Sequence, residues 1–572
     1  MQHQPIPTAS GSVHADTAPK LLRSNFAPIL ILLIASVALM LPVWLIGLPF
    51  SGHDAPTHAR WQALFAAQFW SGELYPRWLV DINSGLGSPA FFIYPPLPHF
   101  VAALLAPLSD GAAWVQQRLG IAATLALFTG SVGAFLWLRA LTRERVSALC
   151  GALVFLLSPY HLFLDTYHRS AYAELWAFAW APFSLWAIHL IARKPGRGVF
   201  VYALATAALA MSHAPSCLVL PPVYVAYAAL LSWSTKRKDI FVWTCAASVA
   251  AVLIAGVYLA TALTHQGNIN NAALYTGFFE FDRWLLLSGR WQGGELAISG
   301  ITVVQFGAVF LLGSLLLRAK LPDAGQRALV TAAIVGSVFL LFMMTIVAAP
   351  LWKLLPVAQK IQFPWRLLTA QTMLLALVAA LYVAWVRCTG PAARGVLQKL
   401  TLPLLAALLA VNAGLVVLGK PSFGRGQVPD GIDVPEYRMG SVRNTAALFD
   451  KDGDIRVLSG QGTARLETLS PRHLRIHLDA TTDVQLVVRR FFYPGWTCVD
   501  AVKPASCRVT RLNQQTPALA IDAGAGRRHV DLILTESKGE QVGTLMSYSG
   551  WLLLALLCLG ARFWGSSALR QR

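Results

Sequence analysis

Long apolar runs constrain this chain before anything else does. A stretch of about 17–25 apolar residues matches the roughly 30 Å hydrocarbon core of a bilayer, and about twelve such stretches are legible. They lie near 26–48, 119–138, 147–158, 175–192, 198–213, 216–233, 240–262, 300–317, 328–349, 367–386, 400–418 and 547–563. Of the 572 residues 56% are hydrophobic and only 13% charged, with a mean hydropathy of +0.55. A soluble protein carries about a quarter charged residues. The pattern excludes a soluble enzyme, a disordered chain and a small disulfide scaffold. The first run is too long for a signal-peptide core and lacks a clear small-residue cleavage site, so it reads as a retained anchor.

The net charge of +19, from 46 Lys and Arg against 27 Asp and Glu, at first points to nucleic acid. Its distribution gives a different answer. One set of connections holds Lys20/Arg23, Arg139/Arg143/Arg145, Arg193/Lys194/Arg197, Lys236/Arg237/Lys238, Arg318/Lys320/Arg327, Arg387/Arg394/Lys399 and Arg562/Arg570/Arg572. The positive-inside rule assigns these to the cytoplasm, and they account for about sixteen of the net charges. Nucleic acid is therefore not the expected partner. Twelve crossings put both termini in the cytoplasm, with 95–108 (PPLPHFVAALLAPL) lying on or dipping into the outer face.

Four blocks follow: a polar cytoplasmic tail over 1–25, a transmembrane module over 26–419 with a large outer loop at 49–118, an external β domain over 420–546, and a final span with its tail over 547–572. In the third block LRIHLDA, VQLVVRRFFYPGW, RVTRL and HVDLILTES alternate as strands do between Gly, Pro and Asp turns, predicting a β-sandwich-like domain. Cys498 and Cys507 fall there, nine positions apart, and are expected to form a disulfide in an oxidising compartment. The other five cysteines have no ligand-like spacing.

The outer loop 49–118 is longer than a connection requires, and such loops are usually functional. It places Asp54 just after the first span, then a helix over Ala55 to Trp70 with Leu64, Phe65 and Phe69 on an apolar face. His58 and Arg60 share that loop. A second outer loop, SPYHLFLDTYHRSAYAE, adds Asp165, His168, Arg169 and Glu174, two of them acids near span ends where burial demands partners. A third, PLWKLLPVAQKIQFPWR, carries Lys353, Lys360 and Arg366 and no acid, so an anionic headgroup at the outer leaflet is its natural partner.

These motifs in this order, GHDAPTHARW…GELYPRWLVDINSGLGSPAFFIYPPLPHF, then SPYHLFLDTYHRSAYAE, then QFPWR, resemble bacterial membrane proteins of the GT-C glycosyltransferase superfamily. The nearest group is the six-pyruvoyl-tetrahydropterin-synthase-related, YfhO-like one, whose terminal β domain the FFYPGW stretch resembles. The resemblance implies an all-α polytopic membrane fold with outer-face amphipathic helices, located in the bacterial inner membrane with the β domain periplasmic. It implies a transferase that takes a sugar from a polyprenyl-phosphate-linked donor and passes it to a glycan, lipid or protein acceptor among the membrane lipids. An acid in the first outer loop is catalytic in that superfamily, and Asp54 occupies the matching position. Many members carry two adjacent acids there. Here the neighbour is His53, which leaves a divalent cation (Mg or Mn) as an open question and assigns no metal ligands.

Transfer from a phosphate leaving group needs a base for the acceptor, cations for the phosphate and a cavity that excludes water. Asp54 is the expected base, with an alternative role as N-cap of the helix from Ala55. Arg169, Lys360 and Arg366 are expected at the lipid phosphate, against the alternative of snorkelling to headgroups. His58 and Arg60 lie on the same surface. Asp165 and Glu174 either hold Arg169 or touch the acceptor, and His213 reads as an interfacial histidine. Gly414 to Lys420 matches a phosphate-loop spacing but has Pro421 in place of the Ser/Thr. Asp450, Asp452 and Asp454 lack the glycine and glutamate of a calcium loop. Two other functions stay in view: a transporter or flippase of lipid-linked saccharide, which would more typically show internal repeats and mid-membrane charges, and a non-catalytic partner in envelope glycan assembly.

Overall fold

The computed structural model describes residues 24, 26–47, 54–108, 115–290, 295–319, 321, 323–388, 405–417, 431, 433–449, 453–500, 502 and 507–570. It is mostly helical, with a β region of two sheets towards its C-terminal end. Among the described residues nine helices are long and apolar enough to cross a membrane, or ten if one bent pair counts as a span. The membrane-embedded bundle contains α1 (Phe26–Ile46), α4 (Val115–Thr142), α5 (Arg145–Leu156), α6 (Tyr172–Arg193), α7 (Pro195–Ala210), α8 (Ala214–Thr235), α9 (Lys238–Ile254), α10 (Gly256–His265), α11 (Glu295–Arg318), α12 (Ala324–Met344), α13 (Leu368–Cys388) and α14 (Lys538–Arg570). Two outer-loop helices precede α4: α2 (Ala55–Trp70) and α3 (Leu97–Leu104).

The helices differ from the twelve expected spans at three of them, and part of a fourth, 400–418, lies outside the described residues. The run 198–213 forms only the sixteen-residue α7, about 24 Å long at 1.5 Å per residue and short of a full crossing. The run 240–262 breaks into α9 and α10, bent by 63°. A serine on α14 explains the break: Ser547 Oγ donates to the Ile254 carbonyl at 2.8 Å and accepts from the Val257 amide at 2.9 Å, satisfying backbone groups the bend releases. Close approach there needs small residues, since a Cβ on Gly543 would stand 2.6 Å from the Gly256 carbonyl. Of the run 400–418 only Leu405–Val417 is described. The run 147–158 is longer than expected, because α5 continues through a π-helix over Tyr160–His168.

The β region packs two antiparallel four-stranded sheets. Their strands are β1 (Ile455–Ser459), β2 (Gly462–Ser470), β3 (His473–Ala480), β4 (Val484–Phe491), β5 (Trp496–Asp500), β6 (Cys507–Arg511), β7 (Ala518–Ala523) and β8 (Gly526–Leu534), in orders β1-β4-β7-β6 and β2-β3-β8-β5. Alternation buries Leu474, Ile476 and Leu478 from β3 against Leu519 and Ile521 from β7. Cys498 and Cys507 are joined, with Cα atoms 5.8 Å apart, linking β5 of one sheet to β6 of the other.

The β region packs against the first outer loop. Trp78, Leu86 and Phe92 of the first outer loop belong to the same apolar core as its strands. Trp78 lies with its ring centroid 5.5 Å from Tyr493 and 6.5 Å from Trp496. A buried ion network fixes the junction: Glu540 of α14 bonds Arg77 of the loop at 3.2 Å and Arg472 of the sheet at 2.9 Å. Loop and β region are therefore joined to one another and to the first turn of α14.

Candidate active site

The π-helix decides where the second outer loop sends its charges. Its wider turn ends at Arg169, and Ser170 then takes a left-handed φ of 54°, reversing the chain so that α6 starts at Tyr172. Asp165, Arg169 and Glu174 thereby face one another. Arg169 Nη1 donates to Asp165 Oδ1 at 3.0 Å and to Glu174 Oε2 at 3.1 Å. Glu174 also accepts from the Tyr160 hydroxyl at 2.5 Å and from Arg366 Nε at 3.4 Å. Arg366 arrives from the QFPWR segment, 192 positions away, with Nη1 held by the Ile361 carbonyl and by Gln362 Oε1.

Asp54 stands at the open edge of this cluster. Its backbone amide donates to the Arg169 carbonyl at 3.2 Å, and its Oδ2 is 3.9 Å from Arg169 Nη2. It occupies the N-cap position of α2, with Pro56 in the first turn, yet its side chain makes no capping bond. The alternative structural role is thus absent from its side chain, which is 40% exposed while Asp165, Glu174, Arg169 and Arg366 are buried.

His58, one turn along α2, is enclosed by Trp61, Tyr94, His99 and Tyr172, with ring centroids 5.5–6.2 Å away. Burial lowers its pKa to about 4, with Asp54 opposing and Arg169 reinforcing the shift. His213 bonds Ser216 Oγ at 2.8 Å and lies 4.0 Å from Glu174. Burial holds it at about 3 despite that carboxylate. Both imidazoles are neutral at neutral pH. Burial works against the Arg169 charge, but Glu174, Asp165 and Asp54 outweigh it and raise its pKa.

The structure thus brings together Asp54, His58, Asp165, Arg169, Glu174 and Arg366. The two remaining cations turn elsewhere. Lys360 Nζ sits 3.7 Å from the centroid of the Tyr275 ring, and Arg60 packs on Gly431 beside Asp433. In the cluster three carboxyl groups, Asp54, Asp165 and Glu174, face two guanidiniums, Arg169 and Arg366. The cationic character expected of the phosphate-facing loops is neutralised at its centre. Among the described residues no group of three or more His, Cys, Asp or Glu is arranged to hold a metal ion. His53 lies outside the described residues, as do Asp450, Asp452 and the end of the 414–420 segment.

Two contributors, Asp433 and the segment 277–284, escaped the sequence reading. Asp433 is buried in the segment before the sheets and accepts from Trp61 Nε1 at 3.0 Å and from the Ser88 hydroxyl, fixing α2 to the loop after it. Phe363 stacks on Trp365 at 4.3 Å and presents its face to Arg366 and Arg169, 4.9 and 5.7 Å from the centroid. The segment 277–284 closes over that pair, with Trp284 4.7 Å from Trp365 and Phe279 5.8 Å from Phe363. Tyr275, Phe278 and Trp284 form an aromatic run that was available as a signal.

Fold and site define a multi-pass membrane protein with a buried carboxylate–guanidinium cluster at whose edge the loop after α1 places Asp54. No protein-family model matches the chain, and no curated protein matches it. Several solved structures resemble it, among them the following three. The arabinofuranosyltransferase AftD from Mycobacteria is 20% identical with a TM-score of 0.43, covering 70% of this chain and 27% of its own. The oligosaccharyltransferase AglB from Archaeoglobus fulgidus, solved with an inhibitory peptide and a dolichol-phosphate, is 13% identical at 0.39, covering 70% and 56%. ArnT from Cupriavidus metallidurans, bound to undecaprenyl phosphate, is 14% identical at 0.31, covering 62% and 78%. The chain spans little more than a quarter of AftD and just over half of AglB. These scores are too low to carry an activity across, so the function is argued from this chain's own residues.

Proposed function

We propose that the chain is a GT-C-type, YfhO-like glycosyltransferase of the bacterial inner membrane. In this reading both termini are cytoplasmic and the β region is periplasmic. It moves a sugar from a polyprenyl-phosphate-linked donor to an envelope or extracytoplasmic acceptor at the outer face. The observation that carries the reading is Asp54: an uncapped, half-exposed carboxylate at the rim of a buried ion cluster, in the loop that follows the first span.

Asp54 takes the proton of an acceptor hydroxyl as that oxygen attacks the anomeric carbon. The bond from this carbon to the phosphate oxygen breaks, and its electron pair leaves with the phosphate. Arg169 and Arg366, pinned by Glu174, offer fixed positive charge to the leaving group without reorganising. Asp165 and Glu174 act as positioning residues for Arg169. Lys360 and Arg60 border the site.

The test is transfer in vitro from radiolabelled polyprenyl-phosphate sugars into membrane extracts, wild type beside Asp54→Asn. A base of this kind contributes about 10²–10⁴-fold, so transfer falls by that factor while expression holds. Equal signal from both proteins refutes the assignment.

A further inference from the structure

The residues shortly before the sheets, Asp433–Tyr437, are bonded to both halves of the site. Towards α2, Asp433 is 3% exposed and accepts from Trp61 Nε1 at 3.0 Å. Trp61 follows Asp54 by about two helical turns, so the two lie on one face of α2 with His58 between them. The Tyr437 ring packs 5.6 Å from that indole. Away from α2, the Glu436 carbonyl accepts from the Asn270 amide at 3.0 Å. Asn270 precedes the turn Asn271–Leu274, and the Leu274 carbonyl accepts from Gln362 Nε2 at 2.8 Å. Gln362 Oε1 in turn accepts from Arg366 Nη1 at 2.9 Å.

Gln362 holds a left-handed φ of 65°, a conformation that costs a non-glycine residue energy and persists only where its surroundings impose it. Its amide is tied on both sides, to Leu274 and to Arg366. Asp433 is pinned in its turn: its backbone amide donates to Asn83 Oδ1 at 2.7 Å, and its second carboxylate oxygen accepts from the Ser88 hydroxyl. Between the two anchors, Pro435 starts a tight turn over Pro435–Tyr437 and fixes one backbone angle. One short, stiffened segment thus reaches the helix of Asp54 on one side and the guanidinium of Arg366 on the other.

We infer that Asp433–Tyr437 is a brace that sets Asp54 against Arg366, with Asp433, Trp61 and Gln362 as positioning residues. The inference rests on the transferase reading and deepens it: the base is placed through α2 and the cation through Gln362, both from one segment. A misplacement of about 1 Å costs a reaction about 100-fold, so the brace acts on rate while touching no substrate.

The test uses the full chain in lipid nanodiscs and reads two quantities: hydrogen exchange in peptides covering 54–62 and 361–367, and transfer from polyprenyl-phosphate sugars into membrane extracts. Trp61→Phe removes the indole N–H and keeps a ring. A hydrogen bond to a charged group is worth about 10–100-fold in an opening equilibrium, so exchange over 54–62 rises by up to that factor. Its kcat falls by about 10–100-fold with the donor KM unchanged, and the residual transfer of Asp54→Asn falls no further when Trp61→Phe is added. Gln362→Gly suits the left-handed φ, so folding holds while exchange over 361–367 and the donor KM both rise. Asp433→Asn, whose oxygen serves Trp61 and whose amide serves Ser88, keeps most of the transfer. Ser88→Ala takes a hydrogen bond from the same carboxylate without touching either anchor and leaves 54–62 as in wild type. Unchanged exchange over 54–62 in Trp61→Phe overturns the inference. So does an equal loss of transfer in Ser88→Ala, which makes the bond one of general stability, and so do additive losses in the Asp54→Asn double variant. Raised exchange beside an Asp54→Asn protein as active as wild type sinks the base assignment alone. A wild type that transfers no sugar sinks the transferase reading, and exchange alone then decides for or against the brace.

Discussion

Glu174 is the residue on which the site turns, and removing its charge should be more damaging than any other single change there. Its carboxylate is 1% exposed and faces Arg169 at 3.1 Å and Arg366 at 3.4 Å. At an effective dielectric of about 20, each of those pairs attracts by about 5 kcal/mol. Glu174→Gln keeps a partner for the Tyr160 hydroxyl but forfeits both attractions. Part of the loss returns as the carboxylate's own desolvation cost, several kcal/mol. The remainder is a destabilisation of about 3–5 kcal/mol, the range found when one member of a buried pair is deleted. Arg366→Met removes the partner while keeping its volume. The double variant should then be less destabilised than the sum of the singles by about 1.5–3 kcal/mol. An exposed pair serves as the control. Arg475 and Asp531 are bidentate at 2.8 and 3.1 Å, but their side chains are 37% and 25% exposed, so Arg475→Met should cost at most about 1 kcal/mol. Thermal unfolding in nanodiscs followed by tryptophan fluorescence reads all four. A Glu174→Gln midpoint equal to wild type, or strictly additive singles, would refute this account of the cluster.

Acidification acts through His58. Its folded pKa of about 4 lies below the ordinary 6.5, so between those values the unfolded chain binds a proton that the folded chain refuses. The His58 contribution is complete above pH 6.5 and falls by roughly 3 kcal/mol as the pH drops to about 4; His213, held at about 3, adds a loss of the same sign, so His58→Phe should make the slope shallower in pH-dependent melting curves without abolishing it. Gly87 has a φ of +82°, and a Cβ there would stand 2.5 Å from Trp78 Nε1; Gly87→Ala should cost about 1–3 kcal/mol and expose the loop–sheet junction to limited proteolysis. Reducing the Cys498–Cys507 bond, nine positions apart, reopens a short loop worth roughly 2–3 kcal/mol to the β region. The denaturant midpoint of the sheets should fall.

What the sequence disclosed follows from periodicity and from charge placement. Apolar runs of membrane length locate the helices because the bilayer imposes that length, and strand alternation locates β3, β4, β6 and β8. Asp54, Arg169, Glu174 and Arg366 stood out as charges at span ends. Their pairing did not, because Glu174 and Arg366 meet through the packing of α6 against the start of α13, and no local pattern encodes a contact across 192 positions. The π-helix is equally silent, since a helix with one wider turn keeps nearly the same apolar pattern. The α9–α10 bend was hidden for another reason: the residue that stabilises it, Ser547, lies nearly three hundred positions away. Asp433 sits in GIDVPEY, where neither a periodic pattern nor a motif marks one acid as buried.

Charge balance then orders the site. Loop cations alone predict an anion held at Arg169, but three carboxylates already surround the two guanidiniums, so Arg169 is a partner of Asp165 and Glu174 before it is a partner of anything that binds. Asp54 and Asp165 meet the cluster through Arg169. Arg366 meets it through Glu174, at the end of a segment that also carries Lys353 and Lys360 and no acid. A sugar phosphate entering such a field in the proposed reading has its phosphate favoured towards Arg366, where fewer acids oppose it, and its acceptor's proton taken by Asp54. Reversing the ligand sets phosphate against the half-exposed Asp54 carboxylate. The same acids that weaken the site as a general anion trap thus orient the anion it takes.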